Sequence, residues 1–153
     1  MIKITDQYFW NVVFLSFFGF LVVMATIILE TESRLTLAEM TVLDVALIVL
    51  ATWRLVRFVA QDSTTKFFRE QFYDLKKTAR TYSLEVPATG PRRTILEIML
   101  NPWNLSLGIG SFITFVYLLT AYAVYPLALL ALSSLVGILE IGTNFFVQKT
   151  KEE

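Results

Sequence analysis

Between Asp6 and Glu30 the chain carries no charged residue. Inside that gap, Tyr8 to Leu29 is an apolar block. At about 1.5 Å per residue, a helix of that length reaches roughly 30 Å, the thickness of a bilayer's hydrocarbon core. A chain of 153 residues has room for one small domain, and 56% of its residues are hydrophobic against 17% charged. Ordinary soluble domains sit near 45–50% and 25%. The excess is gathered into blocks, which is the pattern of membrane spans. The alternative reading of the first block is a cleaved secretory signal. Against it, the block exceeds the usual ~7–15 residue apolar region, and Leu29-Glu30-Thr31-Glu32 is no small-residue cleavage site.

Three more blocks follow. A short acidic connector, Glu30 to Met40, leads to a helix start near Thr36, where Thr36 and Glu39 have capping-box spacing. The second span is Val42–Ala60, with Asp44 near one end and Arg54 and Arg57 near the other. Long side chains reaching the interface make so charged a span tolerable. Pro102 and Trp103 open the third block, Leu105 to Tyr125. Tyr125-Pro126 then breaks it from the fourth, Leu127 to Val147. One unbroken helix across both would be roughly 60 Å long, so a hairpin is expected there. Trp10, Trp53 and Trp103 suit the interface belt.

The central segment, residues 61–100, is polar and basic. Phe68, Phe72, Leu75, Ala79 and Tyr82 recur at three- and four-residue spacing, with Arg69, Lys76, Lys77 and Arg80 off that stripe. This predicts an amphipathic helix over Gln61–Leu84, lying in the membrane interface with Phe68, Phe72, Leu75, Lys76 and Lys77 against lipid. A helix packed on nothing lipidic is the alternative. Val86-Pro87, Gly90 and Pro91 mark a loop, and Arg92 to Leu100 a second short amphipathic segment. The expected fold is therefore all-α: an integral membrane bundle of four transmembrane helices (8–29, 42–60, 105–125 and 127–147) with an amphipathic cytoplasmic helix between the second and third.

Charge asymmetry orients the bundle. Every Lys and Arg except Arg34 falls on one side: Lys3, Arg54, Arg57, the 61–100 loop and the C-terminal lysines. By the positive-inside rule, both termini and that loop are cytoplasmic.

Composition also removes chemistry. There is no cysteine and no histidine, which excludes disulfides, thiolate nucleophiles, Cys/His zinc sites and a Ser-His-Asp triad. No phosphate-binding glycine loop is present, no aspartate pair lies within the spans, and no lysine lies inside an apolar block for a Ser-Lys dyad. The expectation is no enzyme, no cofactor and no metal. Basic loops with phenylalanines raise the idea of RNA, but anionic lipid headgroups are the simpler partner, and no nucleic acid is expected.

Polar groups inside the spans are the remaining candidates. In the fourth span Ser133, Gly137, Glu140 and Asn144 share a helical face. In the third, Ser106, Gly110, Thr114, Tyr117 and Ala121 do. Small residues so spaced allow close helix packing, and a polar path for an ion or proton is the sharper reading. Counting residues from the ends of the second and fourth spans puts Arg54 and Glu140 at matching depth, roughly 9–11 Å inside. An ion pair between them is expected, within a polar network of Arg54, Glu140, Asn144, Ser133 and Asp44.

The stretch Leu43-Asp44, then Ala51-Thr52-Trp53-Arg54-Leu55-Val56-Arg57, Asp62, Phe68-Arg69, Arg92-Arg93, Glu97 and Asn101-Pro102-Trp103-Asn104 resembles a family of small bacterial membrane proteins. It is the domain-of-unknown-function family number thirteen-sixty, some of whose members are associated with sporulation. The resemblance covers roughly Leu43 to Gly142, leaves the first span outside, and implies the bacterial cytoplasmic membrane as location. Where the family commonly has a Cys-x-x-Cys, this chain has Asn101 and Asn104. Thiolate chemistry at that place is lost here, and Asn101 is expected to cap the third span.

The function expected from all this is a non-enzymatic membrane scaffold or interaction subunit, working through helix packing and the basic loop. Homo-oligomers or other membrane proteins are its possible partners. The competing class is a small oligomeric transporter, channel or holin-like pore using the polar face around Glu140.

Overall fold

A computed structural model describes residues 6–78 and 81–152. Lys3, Ala79 and Arg80, which entered the charge and stripe arguments, lie outside them, as does the side chain of Lys151. The element order is α1 (Asp6–Glu32), α2 (Val42–Ala60), α3 (Lys66–Glu70), β1 (Asp74–Thr78), β2 (Thr81–Glu85), α4 (Pro91–Leu100), α5 (Pro102–Leu119) and α6 (Val124–Glu152). Helix dominates, with one two-stranded antiparallel hairpin among the described residues.

Three helical segments are long and apolar enough to cross a membrane: Asp6–Glu32, Pro102–Leu119 and Ala121–Lys149. α2, with three charged residues in 19, sits at the centre instead. It packs against α5 on one side and α6 on the other, while α1 packs on α4 and α5. Ile48 and Ala51 of α2, Ile113 and Tyr117 of α5, and Ala123 and Leu127 next to or on α6 form the buried core. Helix directions follow from the contacts. Asp44 meets Tyr117, and Thr52 lies against Gly110, so α2 and α5 are antiparallel. Ser134 meets Leu50 and Gly137 lies against Trp53, so α2 and α6 run parallel.

The close approach of α2 to α6 depends on small side chains. Ala51 and Ser134 are both fully buried. The Ser134 hydroxyl donates across to the Leu50 carbonyl, 2.6 Å away, and lies 3.0 Å from the carbonyl of Leu130 one turn back. A larger side chain at either position would push the two backbones apart.

α1 contributes no buried residue, and apolar side chains such as Leu15, Val12 and Phe20 are exposed along its length. Its half-buried residues Gln7, Trp10, Phe14, Phe18, Ala25 and Leu29 recur at helical spacing and mark the side toward its neighbours. At its start a polar clasp fixes it to α4. The Gln7 amide donates to Thr94 Oγ1 at 2.8 Å, Thr94 donates to Asn11 Oδ1 at 3.0 Å, and the Gly90 N–H donates to Gln7 Oε1 at 3.2 Å. Gly90 has φ 108°, a conformation that favours glycine. At the far end, Arg34 and Leu35 donate their N–H groups to the Leu118 carbonyl, satisfying the last turn of α5.

Three expected elements are corrected. The amphipathic helix over Gln61–Leu84 ends at Glu70, and Asp74–Glu85 is a hairpin with Leu75 opposite Leu84 and Lys77 opposite Tyr82. Thr78, Thr81 and Tyr82 favour strands, and cross-strand pairing is a non-local gain that a helical stripe of five positions does not reveal. The break between the third and fourth blocks falls at Thr120–Ala123, not Tyr125-Pro126. Thr120 caps the turn, and Pro126 is accommodated in the first turn of α6, where its missing N–H costs nothing. Thr36 and Glu39 do form a capping box, but on a single 3-10 turn, Leu37–Glu39, and α2 starts after a second box made by Thr41 and Asp44. The Thr36 backbone and side-chain hydrogen bonds hold the exposed Glu39 carboxyl below the ordinary carboxylate range.

The two adjacent serines of α6 should separate cleanly. Ser134→Ala should lower stability in detergent by about 0.6 kcal/mol, the mean for interhelical hydrogen bonds in membranes. Ser134→Leu, which overpacks the seam, should cost about 1–3 kcal/mol. The same changes at the exposed Ser133 should leave the thermal midpoint unchanged. Equal effects at both serines would place the seam elsewhere.

Candidate functional site

The chemistry-bearing side chains gather along α2. At its start, the Asp44 carboxylate is held by three groups. Its Oδ2 accepts from the Thr41 N–H and hydroxyl, both at 2.8 Å, and its Oδ1 accepts a hydrogen bond from the Tyr117 hydroxyl. Tyr117 is buried. Asp44 is thus the N3 partner of the N-cap Thr41 in its own helix and the anchor of α5, and no hydrogen bond or ion pair joins it to Arg54, Glu140, Ser133 or Asn144.

Midway along α2, Thr52 and Trp53 open onto grooves. One, of about 480 Å³, lies between α2 and α5 and is lined by Ile48, Thr52, Trp53, Ser106, Gly110 and Thr114 among others. Its hydroxyls are all turned to their own helix backbones: Thr52 donates to Ile48, Ser106 to Trp103 and Thr114 to Gly110. The groove wall is therefore apolar in effect. A second, of about 340 Å³, continues past Trp53 to Arg57, Gln61 and Pro102. The Arg57 guanidinium stands 4.9 Å over the Trp53 ring.

The end of α2 is closed by the residues that follow it. Thr65 donates to the Phe58 carbonyl at 2.6 Å. Arg69 Nη1 donates to the Val59 carbonyl and to Thr65 Oγ1, both at 2.7 Å, and Nη2 to the Asp62 carbonyl at 3.0 Å. These bonds satisfy carbonyls that the last helical turn leaves open. Arg54 reaches the Asp62 carboxylate at 3.9 Å. The Arg92-Arg93 pair is a double clasp. Arg92 donates to Asp74 at 3.0 Å and to the Gln71 and Tyr73 carbonyls at 2.6 and 2.8 Å. Arg93 donates to Glu97 at 2.7 Å and to the Ala88 carbonyl at 2.6 Å. Asn101 Oδ1 accepts from the Trp103 N–H at 3.1 Å and caps α5, as expected, while Asn104 is exposed.

The family described as "Protein of unknown function (DUF1360)" matches residues 47–143. The chain belongs to this DUF1360 family. No curated protein and no solved structure matches it. The matched stretch begins inside α2 and ends inside α6, so it holds the α2 seams, the groove, the hairpin and the arginine clasps. α1 lies outside it.

Within the DUF1360 chain, the polar face expected on the fourth span is exposed. Ser133, Glu140 and Asn144 all face away from α2, which meets the helix at Leu127, Ala131, Ser134 and Gly137. At about 100° per residue, Glu140 lies about 120° around the helix from Ser134. The Arg54–Glu140 ion pair therefore does not form, and Arg54 takes Asp62 instead. Register sets position 138 level with Arg54, so Glu140 lies two residues, roughly 3 Å, further along the axis. The failure is rotational: the helical face was centred on Ser133 when the buried serine is Ser134.

Of the expected interface residues, Phe68, Leu75, Lys76 and Lys77 are exposed, and Phe72 is half-buried with its ring 5.5 Å from Phe68. Sequence reasoning missed the Asp44–Tyr117 bond and the Thr94 clasp. The Thr41/Asp44 capping-box spacing was the available signal for the first. Nothing in sequence spacing pairs Gln7 with Thr94.

Tyr117→Phe should lower thermal stability in detergent by about 1.5 kcal/mol, the lower end for hydrogen bonds to charged groups, because Asp44 is half-exposed. A cycle with Asp44→Ala should be strongly non-additive, since the two side chains touch. Additivity would mean the bond contributes nothing.

Proposed function

We propose that this DUF1360 protein is a non-enzymatic membrane scaffold or interaction subunit. In this reading α1, α2, α5 and α6 cross the bilayer, both termini and the 61–100 segment lie in the cytoplasm, and the membrane is a bacterial cytoplasmic membrane. The observation that carries the reading is the state of α2. It has the highest share of charged residues of the four long helices, three in 19, and occupies the centre, yet each of the three is engaged by protein: Asp44 by Tyr117, Arg54 by Asp62 and Arg57 by Trp53. Among the described residues no buried side-chain nitrogen or oxygen lacks a hydrogen-bond partner. A single copy accordingly offers no polar path between its helices, while the outer surface of α1 is broad and apolar and that of α6 is apolar apart from Ser133, Glu140 and Asn144.

The four-span arrangement draws on lengths. At about 1.5 Å per residue, the 19 residues of α2 give about 28 Å and the 29 of α6 about 44 Å. The register places Glu140 level with Val56, roughly 6 Å short of the end of α2. α6 then runs on beyond that end, carrying Lys149 out of the hydrocarbon.

A second reading, an oligomeric pore, is favoured by one feature. The exposed polar stripe of Ser133, Glu140 and Asn144 could line a channel only if several copies met along α6, because within one copy it faces away from α2.

Two measurements test these readings. The chain has no cysteine, so single introduced cysteines report cleanly. Ser33→Cys and Tyr122→Cys should react with an impermeant maleimide from outside sealed cells, and Ser83→Cys should not. External labelling of Ser83→Cys overturns the topology. In proteoliposomes, ion flux should not exceed that of empty vesicles. A flux that falls in Glu140→Gln would establish the pore and overturn the scaffold.

A further inference from the structure

The β1–β2 hairpin has two unlike faces. Strand alternation and its register put Leu75, Lys77, Tyr82 and Leu84 on one face, and Asp74, Lys76, Ser83 and Glu85 on the other. On the second face every charge has a protein partner. Lys76 lies 3.0 Å from Glu85, and Asp74 lies 3.0 Å from Arg92. On the first, Leu75, Tyr82 and Leu84 are 72%, 66% and 44% exposed. Lys77 stands 6.0 Å over the Tyr82 ring, and no acidic residue shares its face. This face is apolar and carries net positive charge, while the acidic groups are confined to the opposite one.

A lone two-stranded hairpin is marginally stable in water. This one is tied to the rest of the chain mainly through Arg92, at its base. Among the described residues nothing covers its apolar face. The nearest apolar surface in the membrane reading is the bilayer, since α2 ends at Ala60 and β1 begins at Asp74. Phe67 and Phe68, 68% and 44% exposed on the intervening α3, add apolar area at the same end of the molecule.

We infer that the Leu75/Tyr82/Leu84 face of the hairpin lies on the membrane interface, with Lys77 reaching the phosphates of anionic lipids. The inference rests on the membrane reading above. Leucine side chains enter the upper acyl region, the tyrosine ring takes the headgroup level, and the lysine stem lies along the apolar surface while its ammonium group stays in water. Fixed at both the Arg92 clasp and the lipid surface, the hairpin holds the charged face of Lys76, Ser83 and Glu85 toward the solvent.

The test uses the full chain, which has no native cysteine, reconstituted in vesicles with and without anionic lipid. Nitroxide labels go singly at Leu75→Cys, Leu84→Cys, Ser83→Cys and, on the exposed side of α1, Val12→Cys. In anionic vesicles the labels at 75, 84 and 12 should collide with oxygen in preference to a water-soluble nickel complex, and the label at 83 should show the reverse. Lys77→Gln should lower interfacial occupancy at 75 and 84 by about fivefold, the effect of one basic charge at an anionic surface, as should omission of anionic lipid, with position 12 unchanged. Labels at 75 and 84 as nickel-accessible as the one at 83, with position 12 still in lipid, would overturn the hairpin inference and leave the membrane reading standing. An aqueous position 12 would overturn both. Spin–spin broadening at 75 or 84 that vanishes on dilution with unlabelled chain would show a second copy covering the face, and would overturn the lipid assignment.

Discussion

The approach of α2 to α6 over Ala51 and Ser134 controls most of what else the molecule can do. Two helices meet this closely only where neither presents a side chain larger than a hydroxymethyl group, and the Ser134 hydroxyl then falls within 2.6 Å of a backbone carbonyl on the facing helix. That single contact sets a register of parallel helices. Trp53 comes to rest against Gly137, with the nearest ring carbon 3.9 Å from the position a Cβ would take. The same register carries Glu140 to the level of Val56 and turns it off the seam. A one-residue shift toward Leu135 in α6, or toward Leu50 in α2, would rotate a leucine into the contact and separate the backbones.

α2 presents an energetic problem that the surrounding elements solve locally. A helix with Asp44, Arg54 and Arg57 is costly to place at the centre of an apolar assembly, and removing one partner of a buried charge commonly costs about 3–5 kcal/mol. Here the charges sit toward the ends, and each is met by a nearby side chain. Tyr117 belongs to α5, Asp62 to the turn after α2, and Trp53 to α2 itself. Beyond the helix end, Arg69 and Thr65 close carbonyls that no further turn of helix can reach. The arginines that give the central segment its basic character are therefore largely internal fasteners. Arg69, Arg92 and Arg93 spend their donors on backbone carbonyls and on Asp74 and Glu97. This explains in physical terms why Arg-rich positions recur through the stretch that the DUF1360 family matches, without requiring a bound anion at any of them.

The contrast between α1 and α2 also separates two roles for apolar sequence. α1 is more hydrophobic, yet it buries nothing and is tethered at its ends, through Gln7 and Asn11 to Thr94 and through Arg34 to Leu118. α2 is less hydrophobic and forms the core. In water the more apolar helix would be inside. In lipid the solvent is itself apolar, so packing and hydrogen bonding rather than hydrophobicity choose the central element. The arrangement is consistent with a membrane protein, in keeping with the three helices long and apolar enough to cross a bilayer.

Much of this was legible in the residue order. The end of α2 at Ala60, the long apolar blocks, the Thr36–Glu39 box, the short α4 after Pro91 and the capping role of Asn101 all follow from local chemistry: hydrophobic runs, side chains that accept from a nearby N–H, and prolines that start helices. Each depends on residues within a turn or two of one another, where sequence spacing is spatial distance. What the tertiary structure alone decided is non-local. Leu75 pairs with Leu84 across a turn rather than with Phe68 and Phe72 along a helix. Thr120 ends α5 although Pro126 looks like the stronger break. Ser134 rather than Ser133 faces α2, and Asp62 rather than Glu140 meets Arg54. In each case composition permits both choices, and the difference is a helix rotation, a strand partner about ten residues away or a turn placed a few residues earlier, which is settled only when a second element supplies the surface to pack against.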